Sequence, residues 1–403
     1  MKHKSLWAKF RLRLVDTWPL ILLGLLLGIF SIGLLTFQLN SLVPGYAPIE
    51  LQHQQIVAEQ SIGGQRTLLQ YPLYLPFQIG LYVLQILNLD AIRMVSVVIG
   101  LISIAAVFSI VKRWHTMRVS ILITILYASS ASLLHTARLA DETSSLLLIP
   151  VIFALGLYFK DIRSPAIRLA FLIIGAILFL YIPGLIWVAI CLALLYRKKT
   201  LERIKSVTPI NAVIYGTAGL ILVSLLLIAF VINPSLITEW LGVRSDDTTT
   251  IYSFIGNIVQ AVQNLFIWSS LPVSRWVGNA PIVDTFVTVC FLLGCYYYVL
   301  LRKLERVKVL TAVLLGLLIV AGLGGPFMSF AIVPFVYIIA AAGMSLLLQQ
   351  WFTVFPKNPI ARYFAISVVV ICVGATSLYN VHRYFVVWPR TPAVQREFSS
   401  LAE

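Results

Sequence analysis

The stretch "WPLILLGLLLGIFSIGLLTFQL", from Trp18 to Leu39, is an uninterrupted apolar run without a charged side chain. A helix needs about 20 such residues to cross the hydrocarbon core of a bilayer. The run follows a basic stretch, Lys2 to Arg13, and carries no small-residue cleavage site. We therefore interpret it as a retained transmembrane helix rather than a signal peptide.

The rest of the chain has the same character. Of its 403 residues, 60% are hydrophobic and 11% are charged, whereas a soluble domain averages about 45–50% apolar and about 25% charged residues. Within lipid, backbone polar groups are satisfied only in helices or closed barrels. Repeated apolar runs of this kind predict an all-α polytopic membrane protein, with a single transmembrane domain over residues 1–403 and no separate soluble domain.

We expect about eleven segments to cross the membrane. They are residues 18–39, 93–111, 119–135, 144–159, 169–182, 184–196, 210–232, 281–301, 308–323, 327–349 and 361–380. The pair 169–182 and 184–196 is short, and "YIPG" (Tyr181–Gly184) is expected to form the turn between them. Residues 71–89 are interpreted as a helix that lies at the outer membrane surface or packs shallowly in the bundle, because counting them as a span would invert every basic loop that follows.

The net charge of +15 follows the positive-inside pattern. On this topology 22 of the 30 Lys and Arg residues lie on one side, and 11 of the 15 Asp and Glu residues lie on the other. The basic side is expected to be cytoplasmic, with the N-terminus inside and the C-terminus outside a cell membrane. Because the topology accounts for the basic residues, we expect membrane lipids rather than a nucleic acid as the partner.

The outer face is expected to carry a helical first loop at residues 40–92, a short loop near 135–143, a longer loop at 233–280 and a C-terminal tail at 381–403. The four cysteines lie in apolar segments without metal-binding spacing, and we expect free thiols. Several aromatic residues near the presumed interfaces are expected to form an aromatic belt. They are Trp268, Trp276, Tyr384, Phe385 and Trp388.

Carboxylates in the outer loops are the candidate functional residues, because ionisable groups are costly at membrane depth. Glu50 follows the turn "PGYAP" (Pro44–Pro48), after which helical spacing is expected until Gly63–Gly64. Glu59 is interpreted as a solvated residue on another face of that helix. His53 has two interpretations, interfacial packing and contact with a substrate.

The second outer loop reads "HTARLADETSS" from His135 to Ser145. If it forms a helical turn, Arg138, Asp141 and Glu142 share one face. Alternatively, the acids cap a helix that begins near Thr143, where negative charge is favourable.

The order of these features resembles the GT-C membrane glycosyltransferases, in particular the polyprenyl-phosphate-sugar family that includes protein O-mannosyltransferases and lipid A aminoarabinose transferases. Four matching features carry the resemblance: Glu50 in the first outer loop, the Pro-aromatic surface helix from Pro72 to Tyr74, the Arg-x-x-Ser helix start Arg93–Ser96, and Asp141 with Arg138. The similarity covers roughly residues 15–200. We therefore assign residues 1–200 as the catalytic module and residues 201–403 as a less specific transmembrane part.

This resemblance implies transfer of a sugar from a polyprenyl-phosphate carrier to a lipid, glycan or protein acceptor on the extracytoplasmic face, with inversion at the anomeric carbon. The family usually has an Asp-Glu pair where this chain has Ile49–Glu50, so Glu50 is the implied base. Asp141, with Glu142 as its alternate, is the implied second acid. A divalent cation such as Mg²⁺ or Mn²⁺, held by Glu50 and Asp141, is optional. The implied substrate-binding residues are Tyr71, His53, Arg93 and Arg138, the last as a partner of the phosphate or as a structural residue.

Two other functions are compatible with the sequence. One is a transporter or flippase for a lipid-linked or small solute, which would place ionisable residues or broken helices near the middle of the membrane. The acids instead cluster at one face. The other is a non-catalytic relative of the GT-C enzymes, which the apolar Ile49 keeps open.

Overall fold

The computed structural model describes residues 22–43, 45–51, 72–86, 91–198, 209–243, 250–272 and 275–399. Within these ranges the protein is helical and contains no β-strand. The α-helices are α1 Leu22–Thr36, α2 Leu75–Ile86, α3 Arg93–Trp114, α4 Met117–Ala128, α5 Ala131–Arg138, α6 Ile149–Tyr158, α7 Pro165–Tyr181, α8 Leu185–Leu195, α9 Pro209–Ile232, α10 Leu236–Trp240, α11 Ile251–Phe266, α12 Thr285–Leu300, α13 Glu305–Gly324, α14 Val333–Val354, α15 Pro359–His382 and α16 Pro392–Ser399.

Among the described residues, four helical segments are long and apolar enough to cross a membrane alone: α3, α13, α14 with its preceding turn, and α15. The pair α4 and α5 adds a fifth if it is counted as one span bent by 57°. The bend lies at Ser129 and Ser130, where the Ser130 side chain accepts a hydrogen bond from the Leu133 amide and caps α5. This composition indicates a helical membrane protein.

Apolar helices lie at all eleven predicted positions, but the apolar stretches outside these five are 10–17 residues long in the described chain, such as Gly219–Ile232 within α9. Eleven crossings therefore remain a prediction. Within the predicted first outer loop, the structure contains a helical turn at residues 48–51 and helix α2. The expected helical stretch between residues 52 and 71, with Glu59 and Gly63–Gly64, lies outside the described residues.

The described loops separate into two ends. At the basic end, defined by residues 112–118, 159–168, 196–198 and 301–308, Arg113 pairs with Asp161 at 2.5 Å and Tyr196 donates to Glu305 at 2.7 Å. At the acid-rich end, defined by residues 45–51, 139–143, 239–242 and 275–284, the outer loops contact one another. The side of the membrane that each end faces remains a prediction.

Two glycines let α12 and α14 cross with their backbones in contact. A Cβ atom at Gly343 would lie 1.9 Å from the Cys290 carbonyl oxygen, and one at Gly294 would lie 2.1 Å from the Ile339 oxygen. Small residues at such crossings are the main means by which membrane helices approach closely, because lipid supplies no hydrophobic force between them.

We expect Gly343→Ala to destabilise the protein by about 1–3 kcal/mol, because the added methyl group meets backbone atoms that cannot rotate away. Thermal unfolding in detergent would measure the loss. Gly374→Ala in α15 is the matched control, since no atom lies within 4 Å of its added Cβ. Equal melting temperatures for the two variants would contradict this account of the crossing.

The predicted "YIPG" turn is confirmed between α7 and α8, with Gly184 in the left-handed region at φ +78°. Outer segments bind it on two sides. The Tyr74 amide donates to the Tyr181 carbonyl at 2.7 Å, and the Gly184 amide donates to the Trp240 carbonyl at 2.9 Å. The turn therefore anchors two outer loops that are distant in sequence.

The predicted aromatic belt is wrong for three of its members. Trp276, Tyr384 and Trp388 are almost fully buried and surround His135, with ring centroids 4.7–5.2 Å from the imidazole. Trp268, by contrast, is 47% exposed. The difference arises because the chain after α15 turns back onto the acid-rich end, where the buried Phe398 of α16 packs against Trp388.

At the basic end, His115 lies in the turn between α3 and α4, and its Nδ1 atom is 2.9 Å from the Ser345 hydroxyl. Burial, together with the nearby positive charge of Arg306, lowers the pKa of His115 to about 4. The folded protein therefore holds this imidazole neutral where the unfolded chain, with a pKa near 6.5, binds a proton.

Because the unfolded chain binds more protons between pH 6.5 and 4, His115 makes stability fall as the pH falls through this window and has little effect above pH 7. The expected loss between pH 7 and pH 5 is about 2 kcal/mol. The free energies of unfolding of wild type and His115→Asn, measured at several pH values, would isolate the contribution of His115, since carboxylate contributions are common to both proteins. Parallel stability curves would contradict the burial argument.

Candidate functional site

Glu50 is fully buried and forms an ion pair with Arg93 of α3 through two parallel hydrogen bonds. Arg93 Nε lies 2.7 Å from Oε1 and Nη2 lies 2.7 Å from Oε2. Two backbone amides complete the set: Ala140 donates to Oε1 and Ala47 donates to Oε2, both at 2.9 Å. Each carboxylate oxygen therefore accepts two hydrogen bonds, which fills its usual acceptor capacity.

This geometry disfavours the predicted role of Glu50 as the base. A general base needs an acceptor position within hydrogen-bond reach of the proton that it removes, and all four positions here are occupied by protein donors. The arrangement suits a structural role instead, because one carboxylate joins the first outer loop, α3 and the Ala140 backbone.

Arg93 was predicted to contact a substrate, but it is 2% exposed and its donors are used within the protein. Besides Glu50, its guanidinium donates to the carbonyls of Leu39 and Gly45 and lies over the Tyr46 ring. The residue holds the first outer loop onto the end of the bundle. Its guanidinium is therefore committed to this loop and is not directed to a ligand.

Arg138 was predicted to bind phosphate or to have a structural role, and its contacts are structural. It donates to the carbonyls of Leu34 and Phe37 at the end of α1. Its guanidinium also lies over the rings of Tyr384 and Phe385. Positive charge is favourable at the C-terminal end of a helix, where the last carbonyls lack partners.

The shared helical face of Arg138, Asp141 and Glu142 is not formed. Helix α5 ends at Arg138, and the backbone is extended at Leu139 and Asp141. The alternative interpretation is confirmed: the Asp141 carboxylate accepts a hydrogen bond from the Thr143 amide at 2.9 Å and caps the 3₁₀ helix Glu142–Leu148.

Asp141 has a second partner that the sequence did not indicate. Arg275, in the third outer loop, lies 2.6 Å from Asp141 Oδ2. The Asp141 side chain is 7% exposed and the Arg275 side chain 26% exposed. The guanidinium also lies over the Phe327 ring, 4.9 Å from its centroid. Arg275 is thus partly open to solvent, in contrast to Arg93.

Tyr74 lies within electrostatic reach of this pair. It has a left-handed backbone with φ 54°, a conformation that costs about 1–3 kcal/mol in a non-glycine residue and that often occurs at functional sites. Burial raises the pKa of the Tyr74 hydroxyl well above its ordinary value. The negative charges of Glu142, Glu239 and Asp141 raise it further, and Arg275 opposes them. The phenol is therefore neutral and available as a hydrogen-bond donor.

The site is thus composed of one neutral phenol, three carboxylates and one guanidinium, drawn from four separate parts of the chain. We call this set the Asp141 cluster: Tyr74, Asp141, Glu142, Glu239 and Arg275. Glu50 lies next to it through the Ala140 amide. A carboxylate beside a partly exposed guanidinium can accept a proton from one ligand while the guanidinium binds the anionic group of another.

The residues predicted to hold an optional cation do not fit one. Glu50 directs both oxygens to N–H donors, and Asp141 binds Arg275 and the Thr143 amide. Within the described ranges, the structure contains no group of three or more His, Cys, Asp or Glu side chains that could hold a metal ion. We therefore derive no step through a metal.

Two predicted substrate-binding residues, His53 and Tyr71, lie outside the described residues. Sequence reasoning missed Arg275. A signal was present, because Arg275 is one of only 8 basic residues on the predicted outer side, within a loop that also carries acids. Its partner could not be read from the sequence, since 134 positions separate Arg275 from Asp141.

No protein-family model matches this chain. No curated protein is similar to it at a significant level.

Proposed function

We propose that the protein is a membrane glycosyltransferase that moves a sugar from a polyprenyl-phosphate carrier to a lipid, glycan or protein acceptor at the acid-rich end of the bundle. The observation that carries the proposal is the ion pair between Asp141 and Arg275 at 2.6 Å, with Arg275 partly exposed and with both charges acting on Tyr74. The resemblance in the first 200 residues supplies the reaction class.

In this mechanism Asp141, rather than Glu50, is the base. The donor phosphate takes the place of Asp141 as the partner of Arg275, which frees a carboxylate oxygen for the acceptor. Asp141 removes the proton from the acceptor hydroxyl or amine as its oxygen or nitrogen bonds to the anomeric carbon. The bond from that carbon to the phosphate oxygen breaks, and polyprenyl phosphate leaves with its negative charge stabilised by Arg275. A single displacement inverts the anomeric centre.

Glu50 and Arg93 position this site in the proposed mechanism. Their ion pair fixes the Ala140 amide, and the next residue in the chain is Asp141. The Tyr74 hydroxyl serves as a neutral donor to the acceptor or to the sugar. Glu142 and Glu239 place negative charge around an oxocarbenium-like transition state.

The second candidate function is transport of a lipid-linked solute without cleavage. It is favoured by the bend of 57° between α4 and α5, since broken helices occur at transporter substrate sites. The carboxylates of the Asp141 cluster lie in connecting segments and short helices at one end rather than along a crossing path, which supports surface chemistry instead.

The test uses purified protein in lipid vesicles, supplied in turn with a panel of polyprenyl-phosphate pentoses and hexoses together with extracts of cell-envelope acceptors. Release of polyprenyl phosphate with the appearance of a glycosylated acceptor is the expected result. Movement of an intact donor across the vesicle membrane, without cleavage, would overturn the proposal in favour of a flippase. Comparison of envelope glycans with and without the gene product would identify which acceptor to supply.

A further inference from the structure

The basic end of the bundle contains a cavity of about 340 Å³ that the proposed reaction does not use. It is framed by the end of α8 and the start of α13, and its size falls within the range of about 300–1,000 Å³ typical of ligand pockets. The lining residues are Leu194, Leu195, Tyr196, Arg197, Lys198, Glu305 and Lys308.

The cavity is built on a rigid junction. The Tyr196 hydroxyl donates to Glu305 Oε2 at 2.7 Å and ties the end of α8 to the first turn of α13. Further along the same two helices, a Cβ at Gly316 would lie 2.6 Å from the Val188 Cα, so their backbones are in contact. The walls of the cavity that α8 and α13 supply are therefore positioned by helix packing.

The lining combines positive charge with exposed apolar surface. Arg197, Lys198 and Lys308 supply three cations against the single carboxylate of Glu305. In the part of the chain that the structure describes, none of these three cations forms an ion pair with a carboxylate. Leu194 is 67% exposed and Leu195 is 38% exposed beside them.

We propose that this cavity binds the phosphate headgroup of an anionic phospholipid, with Arg197, Lys198 and Lys308 on the phosphate and an acyl chain along Leu194 and Leu195. A free phosphate ion would use the cations but not the leucines. Basic residues where an apolar helix ends attract anionic lipids electrostatically. The proposal is independent of the glycosyltransferase reaction, because the cavity lies at the opposite end of the bundle from the Asp141 cluster.

The experiment measures lipid binding to the full chain in detergent by native mass spectrometry. The probes are dioleoyl phosphatidylglycerol, dioleoyl phosphatidylcholine and inorganic phosphate. We expect phosphatidylglycerol to bind at least about tenfold more tightly than phosphatidylcholine, and the triple variant R197Q/K198Q/K308Q to remove that preference. The matched control is R118Q/K303Q/K357Q, which removes three exposed cations that do not line the cavity and should keep the preference.

Three results would overturn the proposal: equal loss of preference in both triple variants, no preference in the wild type, or displacement of phosphatidylglycerol by equimolar inorganic phosphate. Melting temperatures without added lipid check that each variant is folded. If the triple variant does not fold, K308Q alone replaces it, with K303Q as its control. This lipid-binding result does not depend on whether the protein has transferase activity.

Discussion

Replacing Arg93 with Met is expected to lower the free energy of unfolding by about 3–5 kcal/mol, because the substitution leaves the buried Glu50 carboxylate without its counter-charge. Most substitutions of side chains at loop ends would lower the free energy of unfolding by less than this. The ion pair differs in that Glu50 is fully buried, Arg93 is almost so, and two backbone amides are held by the same carboxylate. Denaturant unfolding in detergent micelles measures the loss.

The chain offers a matched control for this prediction. Arg113 and Asp161 form an ion pair of similar length at 2.5 Å, but their side chains are 37% and 51% exposed. Arg113→Gln should cost less than about 1 kcal/mol, because water and salt screen an exposed pair. Similar costs for Arg93→Met and Arg113→Gln would show that the buried pair is not the anchor of the first outer loop.

The double variant Glu50→Leu with Arg93→Met separates the cost of an unpaired buried charge from the cost of the lost hydrogen bonds. Removing both charges removes the uncompensated carboxylate, so the double variant should be more stable than Arg93→Met alone. It still leaves the amides of Ala47 and Ala140 without their acceptor. We therefore expect partial rather than complete recovery, and a coupling energy between the two sites of at least about 1 kcal/mol.

Replacing Asp141 with Asn is expected to reduce sugar transfer by about 10²–10⁴-fold, the usual contribution of a positioned general base. The fold should be largely retained. Asn is as good a helix cap as Asp, so the hydrogen bond from the Thr143 amide survives. The measurement is release of polyprenyl phosphate per folded molecule, with the donor identified by the panel assay.

Glu50→Gln is the companion variant, because it distinguishes the two candidate bases. Gln places an N–H₂ group where an oxygen accepted hydrogen bonds, so the yield of folded protein should fall. Each folded molecule should nevertheless transfer sugar faster than Asp141→Asn does. The reverse order, with Glu50→Gln inactive but fully stable and Asp141→Asn active, would show that Glu50 is the general base. Asp161→Asn at the basic end should leave transfer unchanged.

Hydrophobicity and charge asymmetry predicted the helical class, the helix positions and the separation of the loops into two ends. These features follow from local composition, since an apolar run forms a helix in lipid whatever its neighbours are. They do not fix how many helices cross, because helices of 10–17 residues depend on tilt and on their neighbours for a full crossing.

The candidate site could be predicted only in part. Glu50, Arg93 and Asp141 could be singled out because charges are costly near the membrane. Their roles depended on partners distant in sequence: Arg93 for Glu50, and Arg275 for Asp141. Spacing indicates which residues share a helical face, but it contains no information on which loops meet. For the same reason the aromatic residues around His135 were misassigned to the membrane interface.

The segment from Tyr384 to Phe398 also affects the order of assembly. It closes over His135, which the ribosome makes some 250 residues earlier, so the acid-rich end lacks its aromatic cover until synthesis has passed Phe398. During translation this end would expose the His135 imidazole and the Trp276 ring that packs against it.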